Sequence, residues 1–528
     1  MPPPAPRSSR LGFLVQPIAH GASLLRDGFN SVLTLNPVAA AIARPAVLAL
    51  LSSSEVGTLV IVDEVYGERL VLGQPPVETH TDESTETTTT KTATRHGHSP
   101  PIATLTITSP SFYPRLLLLA DMGFAEAYLL SEVRCADLTA FFRLFILNRD
   151  RLHNGSTMWS SLLSGTLSAI SKPLLWLGVG GRSNTAETAL LNAQAHYDLS
   201  NDLFAAFLSS DMTYSCPIWA TQSQPTSLPS QNTSDQAGTA DETITDVESL
   251  EKAQIRKLQT IIAAARIKAT DHVLEIGTGW GSFAIEAVRR TGCRVTSVTL
   301  SREQKALAEG KIREEGMEGR IRVLLLDYRA VRGPRYYEGG ENSYYKGDEG
   351  TYDKIVSIEM LEAVGKGFLG VYFAQVDKLL KKDGGIAVFQ CITLPEGRQV
   401  AYSASEDFIN RYIFPGGYLP STTQLIDHIT AASHGTLIVE SVNNIGGHYA
   451  RTLRLWREEF LASFDAVVRP ALKREHPLMS DEETEVFRRK WEYYFSYCEA
   501  GFATKTLGDV IITVGREGAM ELMEGVPL

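Results

Sequence analysis

The stretch VLEIGTGWGSFAIEAV, residues 273–288, decides the fold of this chain. It predicts a short apolar strand from Val273 to Ile276, a tight glycine loop, and a helix from Ser282 to Arg290. Glycine lets a backbone approach a ligand closely, and the free N–H groups at a helix start favour a negative group. A structural turn remains the alternative, because the spacing is G-x-G-x-G and not the dinucleotide pattern G-x-G-x-x-G. The candidate ligand residues of this loop are Gly277, Gly279 and Gly281.

Strands and helices alternate on the carboxyl side of this loop. Arg294 to Leu300 and Ile321 to Leu326 predict two strands, and a charged helix from Ser301 to Glu315 joins them. Lys354 to Ile358 and Gly385 to Gln390 predict two further buried strands. This alternation is typical of the α/β class, with a Rossmann-like, doubly wound parallel sheet.

A smaller α+β domain is predicted before this sheet. Gly57 to Leu72 has the β-branched runs of a hairpin, and Ile102 to Ile107 adds a strand. Apolar residues then recur at helical spacing from Ser111 to Asn148. The predicted boundaries are an extension over 1–44, the small domain over 45–151 with an insertion at 79–101, a connector over 152–190, and a larger domain over 191–528 with insertions at 221–245 and 333–350.

The composition argues against several classes of protein. With 50 Lys and Arg against 61 Asp and Glu in 528 residues, the chain lacks the basic excess of a nucleic-acid-binding protein. Its five cysteines show no C-x-x-C spacing, so neither a disulfide framework nor a metal site is predicted. No run of 18 residues is purely apolar, so a membrane-spanning helix is not expected.

The start of the chain leaves two interpretations open. The first 54 residues carry four arginines and one acid, Asp27, together with several serines, as organellar transit peptides do. The same residues also fit a Pro-rich start followed by an ordinary helix. We expect a cytoplasmic protein under the second interpretation and an organellar one under the first.

The second strand of the sheet lacks the acid that a dinucleotide enzyme places at its end. Hydroxyl and amide groups stand there instead, on Thr299, Ser301 and Gln304, and they can hydrogen bond to a ribose without a charge. Glu275, before the glycine loop, and Asp327, at the end of the third strand, are placed for amine and adenine contacts. Each of these two acids could equally be a cap or turn residue.

Several long motifs in the same order resemble the cyclopropane-fatty-acyl-phospholipid synthases, including the mycolic acid cyclopropane synthases. These enzymes are S-adenosylmethionine-dependent methyltransferases of the class I fold. The resemblance covers the chain from about Ile102 to its end, apart from the insertions. The motifs are the glycine loop, GFAEAYLLSEV (123–133), HYDLSNDLFAAFLSSDMTYSCPIW (196–219), TSVTLSREQ (296–304), LLLDYR (324–329), YDKIVSIEMLEAVG (352–365), RYIFPGGYLPS (411–421), HYARTLRLW (448–456) and YYFSYCEAGF (493–502).

The resemblance implies that the chain binds S-adenosylmethionine. It adds Tyr197 and Ser215, from the segment that these enzymes place over the cofactor, and Tyr328 beside Asp327. It also implies methyl transfer to a double bond of a lipid acyl chain, through a carbon cation that loses a proton as a ring closes. Aromatic rings stabilise such a cation. The matching motifs supply Tyr214, Trp219, Tyr412, Phe414, Tyr449 and Trp456.

The family is thought to use a bound bicarbonate as the base for that proton. The resemblance implies that Cys216, Glu362, Ile392 and Tyr449 hold it here. The histidine of the family's H-T-I pattern is replaced by Gln390, which donates a hydrogen bond but carries no proton. Ala363 stands where the family commonly has a second histidine. Both departures weaken the expectation of ring closure and leave methyl transfer intact.

Other interpretations remain open at this point. Cys216 also fits a small buried apolar residue, and Tyr449 a core aromatic. The enzyme alternatives are a lipid C-methyltransferase without ring closure and a methyltransferase of soluble small molecules. A non-catalytic module that binds lipid or cofactor is the alternative from another class. The expected partners are unsaturated phospholipid acyl chains at a membrane surface, and the apolar connector would suit peripheral attachment or a homodimer.

Overall fold

The structure, a computed structural model, describes residues 37–52, 54–74, 100–154, 201–220, 248–338, 350–403 and 407–527. The chain divides into two compact units. One holds the described residues up to 154 together with Leu472–Tyr493, and the other holds the remainder. The extension, the connector and the three insertions lie mostly outside the described residues, so the domain boundaries stay predictions.

The first unit contains a four-stranded sheet with the order β2-β1-β3-β4. Strands β1 and β2 form the predicted antiparallel hairpin, and β3 runs parallel to β1. The short strand β4, antiparallel to β3, falls inside the region for which only helical spacing was recognised. The elements are α1 (Pro37–Leu51), β1 (Thr58–Asp63), β2 (Glu68–Gly73), β3 (Ile102–Ile107), α2 (Phe112–Leu129), β4 (Val133–Cys135) and α3 (Leu138–Asn154).

The second unit is built on a seven-stranded sheet with the order β10-β11-β9-β8-β5-β6-β7. Its five strands from β9 to β7 are parallel, as predicted, whereas β11 is antiparallel to both of its neighbours. The strands are β5 (His272–Ile276), β6 (Arg294–Thr299), β7 (Ile321–Leu325), β8 (Lys354–Ile358), β9 (Ile386–Thr393), β10 (Ile438–Asn444) and β11 (Gly508–Gly515).

The helices of the second unit are α4 (Asn201–Ala205), α5 (Leu250–Ala264), α6 (Ser282–Thr291), α7 (Arg302–Glu314), α8 (Pro334–Glu338), α9 (Leu369–Leu379), α10 (Glu396–Ser403), α11 (Thr422–Ala432) and α12 (Gly447–Ser463), and two more helices, α13 (Arg469–Glu475) and α14 (Asp481–Ala503), contribute to both units. Three helices of the second unit, α5, α7 and α11, begin at a serine whose side chain accepts from a backbone N–H of the first turn. Ser301 accepts from the Gln304 N–H, and Ser421 and Gln424 form a capping box.

The core of the second unit lies between one face of the sheet and the helices α9 and α11. Tyr372 and Phe373 of α9 are fully buried, and the Phe373 ring packs edge-on against Phe389 at 5.3 Å. This packing fixes β8 and β9 side by side, with Ile358 opposite Gln390 in the register. The carboxyl ends of these two strands are therefore rigidly placed next to each other.

No helix in the described ranges is both long enough and apolar enough to cross a bilayer.

Replacing Phe389 by Ala is expected to lower the free energy of unfolding of the second unit by about 3–5 kcal/mol, because the change leaves a cavity beside Phe373. Hydrogen exchange of the β9 amides measures the loss directly. The control is Val400→Ala, at a side chain that is 74% exposed, for which a change below about 0.5 kcal/mol is expected. Equal effects of the two variants would show that this core does not hold the strand.

Candidate active site

The glycine loop follows β5 and has a left-handed backbone at each of its three glycines. Gly277, Gly279 and Gly281 have φ of 104°, 52° and 90°, a region that other residues enter at a cost. A Cβ on Gly281 would lie 3.2 Å from the Ala308 Cβ, so this glycine allows close packing against α7. A Cβ on Gly279 would meet nothing within 4 Å. Gly279 therefore faces open space at the start of α6, which is the cradle that a ligand requires.

Glu275 is connected to the glycine loop through Ser297. The Ser297 Oγ donates to its Oε2 at 2.5 Å, and Ser297 is in turn 2.6 Å from the Thr278 Oγ1. Burial raises the pKa of Glu275 to about 8, although the bond from Ser297 acts in the opposite direction. The carboxyl group to which the sequence assigned an amine contact is therefore already hydrogen bonded to Ser297.

The polar side chains after β6 contact one another. The Thr299 Oγ1 donates to the Gln304 Oε1 at 2.9 Å, and Ser301 caps the helix by accepting from the Gln304 N–H at 3.1 Å. All three side chains are buried at the carboxyl end of the strand. The structure thus brings together the three residues that the sequence predicted at this position.

Asp327 and Tyr328 follow β7 with different surroundings. Asp327 accepts from the Arg329 N–H and from the Arg329 guanidinium, at 2.8, 2.8 and 2.6 Å, as a cap and ion-pair residue does. The Tyr328 hydroxyl is buried and has no hydrogen-bond partner among the described residues. Its ring packs in the core against Tyr372, with ring centroids 5.1 Å apart.

Two fully buried residues of α5 bind the segment that carries Ser215. The Lys257 Nζ donates to the Ser215 Oγ at 2.6 Å, and the Gln254 Nε2 donates to the Ser215 carbonyl at 2.8 Å. Burial lowers the pKa of Lys257 even though several acids face it. Tyr197, the other predicted contact of this segment, lies outside the described residues.

The centre of the site is Glu359, the first residue after β8. Its Oε1 accepts from the Cys216 N–H at 2.7 Å and from the Gln390 Nε2 at 2.8 Å, and its Oε2 accepts from the Tyr449 hydroxyl at 2.5 Å. Cys216, Gln390 and Tyr449 are three of the residues predicted to hold bicarbonate. In the structure these three residues converge on a carboxylate of the chain itself.

Glu359 is unusual in its backbone and in its surroundings. Its φ is 48°, in the left-handed region that a residue with a side chain rarely adopts. Burial raises the pKa of its carboxyl group, against the opposing effect of the Cys216 and Tyr449 hydrogen bonds. A strained backbone and a raised pKa on one residue are typical of a functional position.

Glu362 lies beside this centre and has other contacts. Its Oε1 accepts from the Ile392 N–H at 2.5 Å, and its Oε2 is buried without a hydrogen-bond partner in the described part of the chain. Burial, followed by the charge of Glu359, raises its pKa to about 8. The two predicted residues Glu362 and Ile392 therefore contact each other, whereas the other three contact Glu359.

Aromatic side chains surround the Glu359 centre. Tyr449 and Tyr214 lie 6.0 and 5.2 Å from the Trp456 ring, and Tyr214 shares a hydrogen bond of 2.8 Å with Tyr494. The Phe414 ring packs against Tyr494 at 5.8 Å. Four of the six predicted aromatics are thus connected, while Trp219 is bonded to Thr452 on α12 and Tyr412 packs against Phe408.

The glycine loop and the Glu359 centre are adjacent. A Cβ on Gly277 would lie 3.3 Å from the Cβ of Met360, the neighbour of Glu359. The segment 201–219 also reaches the loop, because the Trp280 Nε1 donates to the Asn201 Oδ1 at 2.8 Å. Taken with the open space at Gly279, these contacts fit S-adenosylmethionine bound along the strand ends.

Sequence reasoning missed Glu359, Asp509, Lys257 and Gln254. A signal existed for Glu359, since an acid that directly follows a buried strand of a doubly wound sheet lies at the ligand edge. For Lys257 and Gln254 the signal was weaker: both are polar and three residues apart on the apolar face of a helix. Asp509 begins a strand that was not predicted.

The comparisons with known proteins agree on one family. A family model described as mycolic acid cyclopropane synthetase matches residues 184–511. The tuberculostearic acid methyltransferase of Mycobacterium tuberculosis is 36% identical over 398 residues, which cover 75% of this chain and 79% of that protein. The cyclopropane-fatty-acyl-phospholipid synthase of Escherichia coli is 29% identical over 422 residues, 80% of this chain and 90% of that one.

Solved structures agree on the fold. Coclaurine N-methyltransferase, solved with N-methylheliamine and S-adenosylhomocysteine, aligns with a TM-score of 0.50 and 17% identity, over 76% of this chain and all of that one. At that identity the likeness shows the class I methyltransferase fold alone, which is the fold predicted from the sequence.

Replacing Gly279 by Ala is expected to weaken the binding of S-adenosylhomocysteine by about tenfold or more, because the added methyl enters the open cradle and not the protein interior. Isothermal titration calorimetry measures the change. Gly310→Ala, in helix α7 with nothing within 4 Å of the added Cβ, is the matched control and should leave the affinity unchanged. Unchanged affinity in both variants would place the cofactor elsewhere.

Proposed function

The chain belongs to the mycolic acid cyclopropane synthetase family, and on that premise we propose that it transfers a methyl group to the double bond of an unsaturated acyl chain in a phospholipid. Membership makes the chain an S-adenosylmethionine-dependent methyltransferase of lipid metabolism. The phospholipid form of the acceptor, its presentation at a membrane surface and the product are parts of the proposal.

The reaction requires a base in an apolar, water-poor site. S-adenosylmethionine supplies an electrophilic methyl group when it is bound. Once the alkene of the acyl chain has taken that methyl, one of its two carbons is a cation, and a proton must leave to give a neutral product. The chain therefore has to stabilise a cation and accept a proton at a stated atom.

The Glu359 carboxylate meets both needs, and its position is the observation that carries the proposal. It receives the donors of Cys216, Gln390 and Tyr449, which hold it as a buried anion beside the glycine loop. Burial raises its pKa, so it is a stronger base than an exposed glutamate. The proton taken from the lipid is bonded to Glu359, and the electron pair of the broken C–H bond neutralises the cation.

Nearby groups assist this carboxylate. The connected rings of Tyr214, Tyr449 and Trp456 present aromatic faces, each of which stabilises a desolvated cation by about 0.5–2 kcal/mol. No separate bicarbonate is needed in this arrangement, since its donors are already satisfied by Glu359. We therefore propose a base built into the chain in place of the bound anion.

Two products are compatible with this chemistry. Removal of a proton from the new methyl closes a cyclopropane ring, and removal from a carbon next to the cation leaves an open, methylated chain with a double bond. The open product is the second candidate, because the 36% identical relative is named a tuberculostearic acid methyltransferase and because Gln390 and Ala363 depart from the synthase pattern.

Replacing Glu359 by Gln should lower the rate of product formation by about 10²–10⁴-fold, because the amide keeps the hydrogen-bond geometry but accepts no proton. The measurement is mass spectrometry of acyl chains after purified protein meets S-adenosylmethionine and vesicles of mono-unsaturated phosphatidylglycerol. Chemical degradation of the product distinguishes a ring from an open chain.

Glu362→Gln is the matched control, since this residue contacts Ile392 and does not receive the three donors. A smaller loss than in Glu359→Gln is expected. If Glu362→Gln loses the greater activity, Glu362 is the base and the assignment to Glu359 is wrong. Methylation of free fatty acids or soluble amines in preference to vesicles would contradict the phospholipid acceptor.

Replacing Glu359 by Gly tests the built-in base in another way. Glycine suits a φ of 48°, so the fold should tolerate the change, and the three donors are left without an acceptor. We expect activity lost in degassed buffer and partly restored by added bicarbonate, while the wild type is indifferent to bicarbonate. Loss of wild-type activity on removal of bicarbonate would contradict the proposal.

A further inference from the structure

A second buried carboxyl group shares a donor with Glu359. Asp509, at the start of β11, lies opposite Ile392 in the register with β9, and Gln390 is two residues along the same face. The two N–H bonds of the Gln390 amide reach the Glu359 Oε1 and the Asp509 Oδ2, both at 2.8 Å. The two carboxyl groups are thus held side by side by one neutral amide.

The donors are divided unequally between the two acids. Glu359 receives three, from Cys216, Gln390 and Tyr449, which satisfy a carboxylate. Asp509 receives the Gln390 donor on Oδ2 and faces the weakly donating Cys216 thiol, whereas its Oδ1 is buried without a hydrogen-bond partner in the described part of the chain. A buried carboxylate oxygen without a donor is costly, whereas a protonated oxygen is itself a donor.

Electrostatics forbids two charges here. Asp509 and Glu359 are both enclosed, and neighbouring carboxylates in a low dielectric do not ionise together. Burial lowers the pKa of Lys257 while both acids raise it, so this side chain supplies at most one compensating positive charge. With one charge to place, the donor count places it on Glu359.

We propose that Asp509 is a neutral acid that donates its proton in a hydrogen bond to Glu359 and so positions the base and keeps it ionised. The inference rests on the proposed role of Glu359 and assigns Asp509 no contact with substrate. Asp509 is a positioning residue: it fixes the amide of Gln390 from one side and supplies a further donor to the base from the other.

The surroundings of Asp509 agree with a neutral acid. Burial is the largest cause that raises its pKa, followed by the charge of Glu359, and the Gln390 donor opposes them. The titratable groups that face Asp509 from the elements packed around it are Glu359, Glu362, Lys257, Cys216, Cys391 and Tyr449.

Infrared spectroscopy tests the protonation state without any reaction. The wild type at pH 7 should show the C=O stretching band of a buried carboxylic acid that is missing from Asp509→Asn, a substitution of nearly the same shape. The Glu362→Gln and Glu275→Gln spectra identify the bands of two other buried acids, each with a pKa raised to about 8. If Asp509→Asn removes only a carboxylate band, Asp509 is ionised and the inference is overturned.

The pH profile of kcat/KM tests the effect on the base, and its sign decides between the alternatives. Loss of a donated hydrogen bond raises the pKa of Glu359, so Asp509→Ala should move the acid limb upward by roughly one to two pH units. Asp509→Asn keeps a donor and should restore the wild-type limb. If Asp509 were ionised, both variants would remove a negative charge and move the limb to lower pH, which would overturn the inference.

The two experiments separate this inference from the proposed function. The infrared band belongs to Asp509 whether or not Glu359 is the base. If Glu359→Gln retains activity and the band is present, Glu359 is not the base, but Asp509 is still a neutral acid. If Glu359→Gln loses activity and Asp509→Ala leaves the acid limb of the kcat/KM profile unchanged, Glu359 is the base, but Asp509 does not position it.

Discussion

A buried carboxyl group requires hydrogen-bond donors, and in this chain distant segments supply those donors to the Glu359 side chain. The N–H of Cys216, the amide of Gln390 and the hydroxyl of Tyr449 come from three parts of the sequence and meet on Glu359. Removing any of them would leave a buried charge short of a partner, which costs about 1–3 kcal/mol or more. The segment before α5, the central strands and α12 are therefore positioned relative to the same anion.

Much of the fold could be predicted from the sequence because parallel strands buried on both faces are continuous apolar runs. Strands β5 to β9 follow that rule, and their predicted limits lie within three residues of those in the structure. The antiparallel strands β10 and β11 were not predicted. β10 has the alternating exposure of an edge strand, and β11 follows a long helix with little turn signal, so neither shows the βαβ pattern on which the prediction depended.

The sequence motifs of the site could be predicted, but the direction in which each side chain of a motif points could not. Cys216, Gln390 and Tyr449 were recognised and do converge, yet the carboxylate between them is Glu359 and not Glu362, three residues further on. Both acids stand in one short motif, and sequence spacing does not say which of them a turn with φ of 48° directs inward. The role of the neighbouring Asp509 depended on a strand pairing that the motif pattern does not contain.

The backbone of Glu359 has an evolutionary consequence. A left-handed residue with a side chain costs about 1–2 kcal/mol that glycine avoids, so the protein retains a residue that its own main chain disfavours. Glutamate and glycine codons differ by a single nucleotide, so one mutation would relieve the main chain at this position and leave a site that must take its base from dissolved bicarbonate. Under the proposed chemistry, selection for glutamate is strongest where inorganic carbon is scarce, and lineages that live in carbon-rich surroundings are free to lose it.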